Sequence, residues 1–471
     1  MSEHVGYIVR VEHIRKHANA DRLQILTVFG NDTCVDMNVH EGDMGIYFPT
    51  DLQLSVEFCE QNNLVRKKDE NGNNIGGYMD PDKRNVTTIR LRGEKSDGLY
   101  LPLSCLAYTG IDLASLTAGT PISVVNGHEI CTKYIPKVKA SSGVRKPGNH
   151  TRKKQAPIAP LFLEHADTEQ LAYNLEAFHP GDQIEITLKM HGTSQRTGYL
   201  PVLQKYKRTL LDRILRREGT PVYDWGYVTG TRRTVLENYD GRFYGNNEFR
   251  ESHAKFFEGK LHKGETVYYE VVGFTTTGQS IMGIADNKKT NDKEFIKKYG
   301  TTTTFSYGCM PQGKKTVYYR DEHGMYSLDE PVPQSEAYVY RMTMTNEDGD
   351  VVEYTPDYMR YRCEQMGVKC VPVFWKGFIP EQLPRIIDMN TLEEHIETAG
   401  EWIKDIAEQF YDGEDPIGKT HVREGVVIRL VNRPKFSAYK HKNFYFKVLE
   451  GIIKANADAP DMEEAEDLIE H

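Results

Sequence analysis

The chain has 471 residues, a formal net charge of −9 and seven cysteines, with 27% of its residues charged. That length exceeds one typical core and predicts two or three domains. No apolar run approaches the roughly 20 residues of a membrane span, and the cysteines are odd in number with no Cys-x-x-Cys pair. These features predict a cytoplasmic protein and argue against a zinc site or a disulfide framework.

Residues 1–130 read as all-β. Alternating or apolar runs at 5–11, 23–29, 35–38, 45–48, 87–92 and 98–101 are separated by Gly, Asn and Asp turns, the pattern of a small barrel. The segment His17-Ala18-Asn19-Ala20-Asp21-Arg22-Leu23, with Gly42-Asp43 downstream, resembles the OB-type tRNA-binding module, with Ala18 in place of that signature's proline. Asn19 and Asp21 also suit a tight turn that touches no nucleic acid. Residues 131–160 hold eight basic side chains and no acidic one among Ser, Gly and Pro. That composition predicts a flexible connector, which can track phosphates.

A second domain is predicted over 161–456. It opens with a helix at 167–178, capped by Asp167 and carrying Leu171, Leu175 and Phe178 on one face. In the strand at 184–189, Ile184, Ile186 and Leu188 alternate with Glu185, Thr187 and Lys189, so Lys189 faces away from the apolar side. Gly192 follows and would allow close approach of a ligand. Such a lysine fits a covalent nucleophile, but taken alone it reads first as a solvated surface residue. Residues 205–217 predict a basic amphipathic helix bearing Lys205, Lys207, Arg208 and Arg216, either a solvated face or a phosphate-binding one. Strands are predicted at 227–231, 266–274, 338–345 and 425–430, with helices at 357–366 and 391–411. The longer helix begins at a Thr391/Glu394 capping box. Residues 457–471 are acidic and predict a frayed tail.

Four further segments bear on Lys189. Thr231-Arg232-Arg233 ends a strand. Glu270 sits inside the apolar run 267–274, where an ionised carboxylate needs a cation or donor. Glu424 stands at the mouth of the strand 425–430. Lys440, Lys442 and Lys447 are set in what reads as an aromatic strand.

In this order the segments resemble the covalent nucleotidyltransferase superfamily of ATP-dependent ligases and capping enzymes. Lys189-Met190-His191-Gly192 matches motif I, and the longer Lys-x-His-Gly-Thr form resembles RNA ligases. Thr231-Arg232 resembles motif Ia. Tyr269-Glu270 resembles motif III, with Tyr269 where RNA ligases commonly have glycine. Tyr338-Val339-Tyr340-Arg341 stands at motif IIIa, with Arg341 where an aspartate is usual. Glu424–Arg429 matches motif IV. Motif V falls on Lys447 by its distance from motif IV, or on Lys442 by its Lys-x-Lys pattern. An OB-like module ahead of such a domain resembles the DraRnl-type RNA ligases.

The resemblance implies an α+β architecture. An N-terminal OB-like β-barrel would precede a nucleotidyltransferase (ATP-grasp-like ligase) domain of antiparallel sheets flanked by helices. It implies ATP, Mg²⁺ or Mn²⁺, and RNA as partner, whether single-stranded, in an RNA/DNA hybrid or as a nicked duplex. Lys189 would form the lysyl–AMP and Gly192 would line the ATP site. Glu424 would anchor the metal. Glu270 would hold the ribose or help place the metal, and Tyr340 would stack on adenine. Lys447 and Lys442 would contact the α-phosphate. Arg232 would meet the AMP ribose or an RNA 5′-phosphate, with Arg233, Lys205, Lys207, Arg208 and Arg216 along the nucleic acid. His191 would shape the loop, with general base or metal ligand as its alternative roles. The competing readings are a GTP-dependent mRNA-capping guanylyltransferase and a non-catalytic RNA-binding protein. No oligomeric state is implied.

Overall fold

A computed structural model of the chain describes residues 4–68, 70, 74–134, 156–166, 168–210, 219–236, 248–322, 324–387 and 394–455. Most of the 131–160 connector, Asp167, Arg216 and the acidic tail lie outside these residues. The chain divides into two compact units. The first comprises Met1–Lys137, Ala285–Thr302 and Phe444–Pro460; the second comprises Val138–Ile284, Thr303–Asn443 and Asp461–His471.

In the first unit the alternating run at 5–11 forms the strand Gly6–Arg10. It lies between Met44–Phe48 and Pro121–Ile122 in a four-stranded antiparallel sheet, with Leu99–Pro102 on the outer side of Met44–Phe48. A separate three-stranded sheet joins Ile14–Lys16, Leu23–Val28 and Asn31–Asp36. Ile8, Ile46, Phe48, Leu54 and Phe58 are fully buried in one core, each contributing about 1.5–3 kcal/mol. Among the described residues the strands form separate small sheets and no closed barrel. Short alternating strands are common to both arrangements; closure depends on long-range register and shear. The His17–Leu23 signature builds a turn here. One ring nitrogen of His17 accepts the Asn19 N–H at 3.0 Å, and the other lies 3.1 Å from the Leu91 carbonyl. The Asn19 amide donates to the Arg92 carbonyl.

Two later segments complete this unit. Phe444–Ala455 is a helix, where the aromatic run 440–448 reads as a strand. Phe446 and Leu449, three apart, are both fully buried, so the period that decides is helical. The Lys447 ammonium on this helix pairs with Asp97, whose other oxygen accepts the Thr88 hydroxyl at 2.6 Å. Asp292 pairs with Arg90 and accepts the Tyr445 hydroxyl at 2.7 Å. The Tyr445 ring stacks on Phe295.

The second unit is built on two larger, mainly antiparallel sheets. The five-stranded sheet runs Glu169–Gln170, Ala438–Lys442, Gly425–Leu430, Gln183–Lys189, Val373–Phe378. The six-stranded sheet runs Thr220–Gly230, Thr193–Lys207, Glu265–Gly273, Ser335–Thr345, Val351–Glu353, and Lys369–Cys370 also pairs with Ser335–Thr345. Ile184 and Ile186 bury with Val426 and Ile428 against Ile403 and Ala407 of the helix Ala399–Tyr411. The opposite face is covered as well. Arg360, from the helix Pro356–Met366, grips both oxygens of Glu185 at 3.0 and 2.6 Å.

Two helix expectations are corrected, and a third falls mostly outside the described residues. Leu171 and Phe178 do bury, but on two short 3₁₀ turns, Leu171–Tyr173 and Leu175–Ala177. Lys205 and Lys207 end the 15-residue strand Thr193–Lys207, and residues 211–218 are outside the described set. The long helix starts at Ala399, after a strand at Glu394–Ile396. Its capping box is Thr398 with Glu401, each bonded to the other's backbone amide. Thr391 with Glu394 has the same spacing, so the motif alone cannot choose between them.

Candidate active site

The chain crosses from the five-stranded to the six-stranded sheet through residues 190–192. Lys189 is the last residue of its strand and lies opposite Gly425 in the neighbouring one. Its ammonium is 2.6 Å from Glu424 Oε1; the Lys189 side chain is 22% exposed and that of Glu424 3%. Lys442, opposite Gly425 on the other side, places its Nζ 4.0 Å from the same oxygen. Gly425 keeps these strands close. Its φ is +149°, and a Cβ there would lie 2.1 Å from the His441 carbonyl oxygen.

The next two residues are held by their backbone. The His191 N–H donates to the Tyr307 hydroxyl at 2.7 Å, and the Gly192 N–H donates to Glu270 Oε1 at 3.1 Å. A Cβ on Gly192 would meet the Val271 carbonyl oxygen at 2.5 Å and Glu270 Cγ at 2.9 Å. The bare side of this glycine is therefore filled by the Glu270 strand, not left open for a ligand. The His191 ring packs edge-on to Phe305 at 4.6 Å, with Nδ1 3.9 Å from Glu424 Oε2.

Glu270 is the one residue of its strand that is not fully buried. Its neighbour Tyr269 points to the other face, where its hydroxyl lies 2.9 Å from that of Thr197. Opposite, Tyr268 pairs with Arg341 and Tyr269 with Val339, so Tyr340 is the extra residue of a bulge, a device that re-aims a side chain. The Tyr340 hydroxyl is 2.9 Å from Ser194 Oγ. Its ring abuts His165, which also contacts Tyr268 and Phe436. Burial, then Arg341, Arg232 and Arg196, hold His165 well below its ordinary pKa. Arg341 is occupied by Glu353.

Arg232 and Arg233 sit on the turn after Thr220–Gly230. That turn is tied down by Arg196, a fully buried residue that sequence reasoning missed. It donates to the carbonyls of Thr231 at 2.9 Å, Arg233 at 3.0 Å and Phe162 at 3.1 Å. Arg250, also missed, binds the Thr193 hydroxyl and the Ser194 carbonyl. Neither arginine, nor Tyr307, belongs to a periodic pattern or motif that would mark it.

The structure therefore brings Lys189, Gly192, Glu270, Glu424 and Lys442 together, with Tyr340 beside Ser194. Lys447 belongs to the first unit, on Asp97. Lys205, Lys207 and Arg208 are exposed at the far end of the Ser194 strand. Among the described residues no group of three His, Cys, Asp or Glu side chains could hold a metal ion alone. Glu424 Oε2 is nevertheless buried without a hydrogen-bond partner, which suits a hard cation completed by water and phosphate oxygens.

Comparison with solved structures identifies the architecture. A lysine-to-methionine variant of an RNA ligase from Naegleria gruberi with AMP and Mn superposes with a TM-score of 0.52 at 16% identity, covering 96% of this chain and 99% of that one. A lysine-to-alanine variant with ATP and Mn gives 0.50 at 15%, covering 94% and 98%. The same ligase with pyrophosphate gives 0.50 at 16%, covering 94% and 97%. The chain has the fold of these RNA ligases. No protein-family model and no curated protein matches the sequence. Among the described residues no helix is long and apolar enough to cross a membrane.

Proposed function

We propose that the chain is an ATP-dependent RNA ligase acting through a lysyl–AMP intermediate. The observation that carries this reading is the Lys189 ammonium on the buried Glu424 carboxylate, with Glu270 clamping the next loop, in an RNA-ligase fold. Lys189 Nζ, once deprotonated, attacks the α-phosphorus of ATP. The N–P bond forms, the bond to the bridging oxygen breaks, and pyrophosphate leaves. The AMP passes to an RNA 5′-phosphate, and a 3′-hydroxyl then attacks that end and expels AMP. These are phosphoryl transfers, in which positioning and charge stabilisation dominate.

Glu424, with a buried oxygen that lacks a hydrogen-bond partner, and Glu270 are the residues that would hold Mg²⁺ or Mn²⁺. Such an ion would neutralise charge developing on the phosphates. Tyr340 offers a ring for adenine. Arg232, on the turn whose Thr231 and Arg233 carbonyls Arg196 ties down, offers a cation for the ribose or a 5′-phosphate. RNA is the partner this fold favours. Arg233, Lys205, Lys207 and Arg208 are candidate contacts, and the first unit is a candidate RNA-binding module of the DraRnl type. Cytoplasmic RNA repair is the setting this suggests.

The test is covalent labelling. With Mg²⁺ or Mn²⁺, α-labelled ATP should label the protein through denaturing electrophoresis, and labelled GTP should not. Label from GTP alone would establish a capping enzyme instead. Absence of label from both, alongside salt-sensitive RNA binding, would establish a non-catalytic binder.

For the α-phosphate contact the geometry favours Lys442 over Lys447. Lys442→Ala should slow lysyl–AMP formation about a hundredfold, the effect of losing one preorganised charge at a reacting phosphate. Lys447→Ala should leave the labelling rate near wild type and lower the melting temperature, because Asp97 then stays buried without its cation. The opposite pair of results would return the role to Lys447.

A further inference from the structure

We infer that Tyr307 is a positioning residue for the nucleophile, setting the loop that aims the Lys189 amine at the α-phosphorus. Residues 190–192 are a three-residue crossing between two sheets, and two successive amides in it are anchored. Glu270 takes the Gly192 N–H, and Tyr307 takes the His191 N–H at 2.7 Å. A crossing fixed at both amides leaves the end of the Lys189 strand little freedom to shift.

The phenol that does this is itself held on several sides. Tyr307 has a left-handed backbone, φ +48°, and its ring is edge-on to His421 at 4.6 Å. Phe305 is edge-on to both His191 and His421. His421 is fully buried, with Nδ1 2.9 Å from the Val422 carbonyl. Asp415, likewise buried, accepts the amides of Ile417, Gly418 and Lys419 at 3.1, 2.6 and 3.0 Å. A Cβ on Gly418 would lie 2.5 Å from the Gly308 nitrogen. The two turns, 305–309 and 415–421, therefore interlock behind the loop. Burial first, and then the charge of Glu424, holds the Tyr307 hydroxyl well above the usual tyrosine range. It stays a neutral phenol at any working pH and acts through the His191 backbone, not as an acid or base.

In-line attack requires reacting atoms about 3–3.5 Å apart, and a misplacement of about 1 Å costs about a hundredfold. This inference rests on Lys189 being the nucleophile. The test is Tyr307→Phe, which keeps the ring and removes the acceptor. The first-order rate constant of labelling by ATP should fall about ten- to a hundredfold, with little change in the ATP concentration that gives half the maximal rate. Sealing of chemically pre-adenylated RNA, which bypasses attack by Lys189, should stay near wild type. The rate constant does not depend on the fraction of folded protein, so a partly unfolded preparation still answers. An unchanged labelling rate overturns the inference. So does an equal fall in labelling and in sealing, which would make Tyr307 a general packing residue. Failure of the wild-type protein to label would instead overturn the ligase reading itself.

Discussion

Lys189→Ala protein incubated with Mg²⁺ and α-labelled ATP is expected to carry no label. The reason is stoichiometric: without the amine there is no nitrogen to form the N–P bond. The lysines nearby do not substitute for it. The Lys442 ammonium is 4.0 Å from Glu424, but its strand runs on the far side of Gly425–Leu430 from Lys189. The fold should survive, because Glu424 retains Lys442 as a cation after Lys189 is gone. Its melting temperature is expected to drop modestly, since one buried carboxylate loses its nearer partner. The same protein should still seal pre-adenylated RNA to a measurable extent, because that step does not form a bond to the lysine. A Lys189→Ala protein that labels at the wild-type rate would place the nucleophile elsewhere.

Glu424→Gln should slow lysyl–AMP formation by about two to three orders of magnitude, the scale of losing one preorganised electrostatic contact in a water-poor site. Two tasks are proposed for Glu424. One oxygen lies 2.6 Å from the Lys189 ammonium. The other is buried with no hydrogen-bond partner. The amide is close to isosteric, so packing should be retained and the change read as one of charge. Metal dependence separates the two tasks. If Glu424 anchors a divalent ion, the variant should need a higher Mn²⁺ concentration for half-maximal labelling, and excess Mn²⁺ should restore part of the rate. An unchanged metal requirement with a reduced rate would confine Glu424 to holding Lys189. A wild-type rate would remove it from the site.

Much of this was legible because strands and their polar interruptions are local. The runs at 184–189, 266–274, 338–345 and 425–430 are apolar over several residues, and each is a strand at nearly the expected bounds. Lys189, Glu270 and Glu424 stand at or inside them as charged residues that burial must partner. Their order along the chain carries the resemblance to covalent nucleotidyltransferases.

Other features depend on pairing between distant segments. Thr391/Glu394 and Thr398/Glu401 are equivalent as capping signals, and only tertiary packing starts the helix at the second. Phe444, Phe446 and Val448 satisfy a strand period, but Phe446 and Leu449 bury together on a helix of the first unit. Spacing from motif IV favours Lys447 and the Lys-x-Lys pattern comes second with Lys442; register places Lys442 opposite Gly425, and an ion pair holds Lys447 on Asp97. The described strands of the first unit form separate small sheets, since barrel closure is a property of register between strands far apart in sequence.

The sequence by itself determined which charged side chains interrupt these apolar strands, and on which strands they lie. These follow from the period-two alternation and the cost of an unpartnered buried charge, both short-range constraints. Only the tertiary structure decided how Lys189 is aimed. That depends on Tyr307 and Glu270 holding two adjacent amides, on Gly425 letting two strands close on Glu424, and on Arg196 fixing the Arg232 turn. Each is a contact between residues more than a dozen and in places over a hundred positions apart, set by packing that no local pattern encodes.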